Sequence, residues 1–130
     1  MDEKKVEILR NIEIPVFSLI LNLAIGKTCG DAIEVGETMK EAIGHLVEES
    51  KSWFGAYLHS EEMDICAIVL SEDAGVNTIA HECFHATMHM LRLKGAKYSH
   101  KSEECFAYFL GYLVEKVHNV MDEYKEICSE

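Results

Sequence analysis

Apolar positions dominate the chain from Ile12 to Ile25, where "IEIPVFSLILNLAI" is nearly unbroken. A run of that kind predicts one long strand buried on both faces. "GKTCGD" then reads as a turn cluster with two glycines. From about Gly36 to Glu49 the apolar residues Met39, Ile43, Leu46 and Val47 recur at helical spacing, with Lys40, Glu41, Glu48 and Glu49 outside the stripe. Two strands follow, Trp53 to His59 and Met63 to Leu70, joined by a short turn at "SEE". The second is richer in Ile, Val and Leu and should lie deeper in the sheet. A helix is expected from Gly75 and Val76 through Met90 to about Lys94, with Gly95 placed to end it in a left-handed conformation. After the loop "AKYSHK", Ser102 can cap a last helix from about Glu103 to Tyr124. The order strand, helix, strand, strand, helix, helix is an α+β layout, with a small mixed sheet and helices packed against it.

Composition narrows this picture. At 130 residues, with 48% apolar residues and the single proline Pro15, the chain suits one domain over 1–130 with one core. A formal charge of −11 argues against a nucleic-acid surface or an anionic membrane, both of which need clustered Lys and Arg. Five cysteines (Cys29, Cys66, Cys83, Cys105, Cys128) form no CxxC and are odd in number, which fits free thiols in a reducing compartment. "IPVFSLILNLAIG" is too short to span a bilayer and has no clear cleavage site, so a cytoplasmic address is expected.

The candidate chemistry lies in "HECFH", residues 81–85. Residues four apart share a helix face one turn apart, so His81 and His85 present two imidazoles to a common point. Glu82 is rotated by about 100° from His81, which lets its carboxylate reach a metal-bound water without binding the metal. Zinc with three protein ligands keeps a position for water and lowers its pKa to about 7, and the glutamate then moves the proton to the leaving nitrogen. Ile79, Cys83, Ala86, Met90 and Leu93 lie on the other side of the helix and form a face for the sheet. Composition alone produces HExxH by accident about once in twenty such chains, so the motif needs a third ligand in context.

Candidates for that ligand are His89, His100, Glu103, Glu104 and the cysteines. His89 continues the four-residue series but lies about 12 Å along the axis from His81, too far to share one ion on a straight helix. It reads as a group lining the cleft, or as a polar residue near the helix end. Glu104 is the better candidate. It shares a face with Tyr108, Gly111 and Glu115, opposite the core-facing Phe106, Phe109, Leu110, Leu113 and Val117. It also lies nineteen positions after His85, enough for the first helix to finish, turn at Gly95 and return. Gly111 would permit close contact on that face, or be a tolerated surface glycine. Tyr108 is the first candidate to donate to a tetrahedral oxyanion, or to orient Glu104, and His100 is the second. Trp53 to His59 could be an edge strand that pairs with an extended peptide, with Tyr57 and His59 sharing one of its faces.

"HECFH" followed by "EECFAY" resembles the gluzincin clan of zinc metallopeptidases, in which HExxH on one helix is completed by a Glu on a following helix. Residues 53 to 115 are also similar to small metallopeptidase-like proteins of phages and prophages, and to the metallopeptidase domain of ImmA/IrrE-type repressor-cleaving proteins. The resemblance implies a minimal zincin-like domain binding Zn2+ through His81, His85 and Glu104, with Glu82 as general acid/base. It implies a peptidase acting on a peptide or protein substrate. The chain departs from full-size gluzincins in carrying no large second lobe to wall the cleft, so substrate selection would fall to a partner or to the bare strand edge. The alternative is a catalytically weak or inactive zinc-containing binding or assembly protein on the same shell.

Overall fold

The computed structural model describes residues 6–130, so the first five residues of the expected 1–130 domain lie outside it. Four strands form one mixed sheet: β1 (Ile8–Ile14), β2 (Leu19–Gly26), β3 (Gly55–Ser60) and β4 (Ile65–Ser71). Their order is β1-β2-β4-β3, with β2 and β4 parallel at the centre and the outer pairs antiparallel. Between β2 and β3 run three short helices, α1 (Cys29–Glu34), α2 (Glu37–Ile43) and α3 (Val47–Ser50). After β4 come the long helices α4 (Val76–Leu93) and α5 (Glu103–Ser129). The expected α+β class with a small mixed sheet is what the chain adopts.

Alternation along the strands sorts the core into two layers. Leu21, Leu23 and Ile25 of β2, with Cys66, Ile68 and Leu70 of β4, face α4 and α5. Ala24, Ile65, Ala67 and Val69 face α1 to α3 on the opposite side. Every residue of β4 is buried, in keeping with its expected depth. On α4, Ile79, Cys83, Ala86 and Met90 join the first layer, but Leu93, expected on the same face, is half exposed. Phe106, Phe109, Leu113 and Val117 of α5 close the same layer, and α4 and α5 pack side by side.

Two expectations need correction. The single strand from Ile12 to Ile25 is a hairpin: Pro15 opens a 3-10 turn over Pro15–Phe17, and Ser18 takes a left-handed φ of 52° before β2 begins. Proline has no N–H to give a ladder and its ring fixes φ, so the apolar run breaks there despite its hydropathy. The single helix from Gly36 to Glu49 is two helices joined by a 3-10 turn at Gly44–Leu46, and α1 begins within the turn cluster before it. Thr28 caps α1 by accepting from the Asp31 N–H at 3.1 Å. Gly95 does end α4 with φ of 82°. Ser102 precedes α5 without capping it through its side chain, since its hydroxyl donates to the Lys97 carbonyl instead. The last helix also runs on past Tyr124 to Ser129.

Candidate active site

The site forms where α4 lies along the open edge of β3. The two come unusually close at Gly55, where a Cβ would stand 2.8 Å from a Leu70 methyl and 2.9 Å from the Thr78 methyl. A side chain there would push the strand away from the helix. The Phe54 carbonyl accepts from the Ser71 N–H at 3.0 Å. By the alternation of an antiparallel pair, Gly55, Tyr57 and His59 therefore turn their backbone groups outward, away from β4.

One of those outward groups reaches the motif. The Tyr57 N–H donates to Glu82 Oε1 at 2.9 Å, and Glu82 is 9% exposed. This bond holds the carboxylate at one oxygen and leaves Oε2 facing the histidines, 3.9 Å from His81 Nε2. Both imidazoles are exposed, and their Nε2 atoms stand 3.2 Å apart with the rings edge to face. Two nitrogens bound to one tetrahedral zinc stand about 3.3 Å apart, given Zn–N distances of about 2.05 Å. The imidazole pair thus fits a zinc ion in both donor type and spacing.

Among the described residues, no group of three or more His, Cys, Asp or Glu side chains is gathered as a metal cage. Glu104 is exposed on the first turn of α5, and His100, in the loop before it, is fully exposed and 3.6 Å from Glu103. Gly111 makes no close contact, since a Cβ there would meet nothing within 4 Å. Tyr108 is 76% exposed and borders an apolar hollow with Ile14, Pro15, Phe17 and Phe109, away from the histidine pair. Cys83 faces the core, and burial together with the Glu82 carboxylate pushes its thiol up to about 12.

Two adjoining hollows follow the line between β3 and α4. One, of about 470 Å3, is lined by Trp53, Phe54, Gly55, Asn77, Thr78 and His81. The other, of about 530 Å3, continues past His85 to Tyr57, His59, His89 and Arg92. Glu82 borders both. In the second hollow the Tyr57 hydroxyl lies 2.7 Å from His89 Nδ1, and the His89 ring lies tilted against His59 at 4.2 Å between centroids. Burial and a hydrogen bond with Cys66 raise the Tyr57 pKa, so its hydroxyl keeps its proton and can donate to Nδ1. Burial, then the neighbouring His59 and Arg92, lowers the His89 pKa, with Glu61 opposing. A neutral His89 bonded in this way carries its proton on Nε2.

Sequence reasoning placed His81 and His85 on one face beside Glu82, where the structure has them, left His89 open as a group lining the cleft, and gave Tyr57 and His59 only as sharing a strand face. It missed Arg92, although Arg92 follows His85 by seven positions and so shares its helix face. Compared with protein-family models, curated proteins and solved structures, the chain matches none.

Proposed function

We propose that the chain is a zinc-dependent peptidase of minimal zincin-like form. The observation that carries this reading is the 3.2 Å convergence of His81 and His85 Nε2, with the Glu82 carboxylate beside them. His81 and His85 would hold the ion, and Glu104 at the start of α5 is the third donor this reading requires. When bound, zinc supplies a Lewis acid that polarises a peptide carbonyl and acidifies water. Glu82 then takes a proton at Oε2, the oxygen its Tyr57 bond leaves free, and delivers it to the leaving amine nitrogen. With the Tyr57 N–H held by Glu82, the Tyr57 carbonyl and the outward groups of His59 lie where an extended peptide can pair with the β3 edge. His89 Nε2 is a donor within the same hollow, in the role first expected of Tyr108.

A second reading is favoured by the want, among the described residues, of a third metal-ligating side chain gathered with the histidine pair. In it the protein binds zinc on a metallopeptidase-like shell and recruits a partner without efficient hydrolysis. Peptide-library cleavage by zinc-loaded wild type, against Glu82→Gln, separates the two. Cleavage that disappears in the variant supports the peptidase, and an inactive wild type with stoichiometric zinc supports the binding protein. Absence of zinc uptake by the wild type overturns both.

A further inference from the structure

The second hollow ends on a charge that nothing described so far uses. Arg92 lines it with His59 and His89 and is exposed, yet its guanidinium makes no ion pair or side-chain hydrogen bond among the described residues. A guanidinium presents a planar fork of donors that matches a carboxylate in a bidentate fashion. The Tyr57–His89 bond and the tilted His89–His59 ring contact hold the neighbouring wall in place, so Arg92 extends from a built surface. Glu61 is the nearby acidic residue that would compete for it, since its charge is felt at His89.

Distance relates Arg92 to the motif. Seven helical positions separate it from His85, or about 10 Å along α4. An extended peptide advances about 3.3 Å per residue, so that span covers roughly three residues, fewer once both side chains reach toward each other. Strand and helix run the same way here, because Gly55 meets Thr78, Tyr57 meets Glu82 and His59 meets His89 in succession. A peptide on the β3 edge would therefore be carried from the histidine pair to Arg92.

We propose that the Arg92 end of the cleft is a carboxylate-binding subsite, selecting peptides that carry an acidic side chain or a free C-terminal carboxylate about two to three residues beyond the histidine pair. The proposal rests on the peptide-cleft reading above, but it concerns binding and does not require turnover.

The test uses the full chain, stripped of metal so that no cleavage intervenes, and fluorescence anisotropy with three labelled Ala/Leu hexapeptides at low salt. One is neutral with an amidated C-terminus, one has Glu at its fifth position, and one is neutral with a free C-terminus. Tighter binding of an acid-bearing peptide, by about tenfold over the neutral one, is expected. Arg92→Ala should erase the difference, and Arg92→Glu should reverse it in favour of the neutral, amidated peptide. Which of the two acidic peptides gains tells an internal acid from a chain end. Circular dichroism melting checks that the variants at this exposed position remain folded. The net charge of −11 repels every acidic peptide, so a preference for them has to come from a local cation. Equal binding of all three peptides, or a preference that survives Arg92→Ala, overturns the subsite. Selective binding without cleavage by the zinc-loaded protein would sink the peptidase and leave the subsite standing, whereas cleavage without selectivity would do the reverse.

Discussion

Replacing Glu82 by Gln and by Ala gives two different outcomes, and the contrast tests what the carboxylate does. Glu82 is buried, and its Oε1 accepts the Tyr57 N–H at 2.9 Å. A glutamine amide oxygen can accept the same bond, so Glu82→Gln should cost only the charge assistance, about 1 kcal/mol. Alanine removes the acceptor and leaves a partly buried N–H without a partner, at about 1–3 kcal/mol. For a domain of this size each kcal/mol moves the melting temperature by about 3–5 °C. Scanning calorimetry should therefore place Gln within about 5 °C of wild type and Ala clearly lower. Zinc content should be unchanged in Glu82→Gln, because Glu82 is not one of the donors. Hydrolysis should fall by about a hundredfold to ten-thousandfold, as expected when a general base is lost. A Gln protein that holds zinc and cleaves at the wild-type rate would refute the assignment of the base. A Gln protein as unstable as the Ala one would show that Glu82 is there to hold the strand.

Other outcomes follow from the same geometry. Zinc at a hundredfold excess over its Kd should stabilise the wild type by about 2.7 kcal/mol. That rise in melting temperature should vanish in His81→Ala and His85→Ala, and its persistence in either would place the ion elsewhere. Because folding lowers the His89 pKa from its ordinary 6.5, the unfolded chain binds the proton more readily. The stability His89 contributes is thus present above about pH 6.5 and lost as pH falls through the lower folded value; His89→Gln should flatten denaturation midpoints across that window. Of the five thiols, exposed Cys105 and Cys128 should react quickly with a disulfide reagent at pH 8. Cys29 and Cys83, pushed up to about 12 chiefly by burial, should react only on unfolding; rapid modification of more than two thiols would contradict the burial of Cys29, Cys66 and Cys83 in the two core layers.

What the sequence determined by itself is local. Helical spacing places His81 and His85 on one face whatever surrounds them, and the unbroken apolar run over 65–70 marks a strand buried on both faces. Gly95 ends α4 because a left-handed turn suits a residue without a Cβ. Pro15 carried the signal for the hairpin, but the hydropathy around it read as one strand because apolar content says how deep a segment lies and not where it bends. Tertiary structure decided the rest. The bond from Tyr57 to Glu82 joins residues 25 apart, and it depends on which β3 groups face outward, which is set by the register with β4. Glu104 and Tyr108 do lie on one face of α5, as periodicity indicates, but the rotation of that helix against its neighbours is fixed by how Phe106, Phe109 and Leu113 fill the core. Arg92 joins the cleft for the same reason: a helix face is written in the sequence, but the wall it meets is chosen by packing.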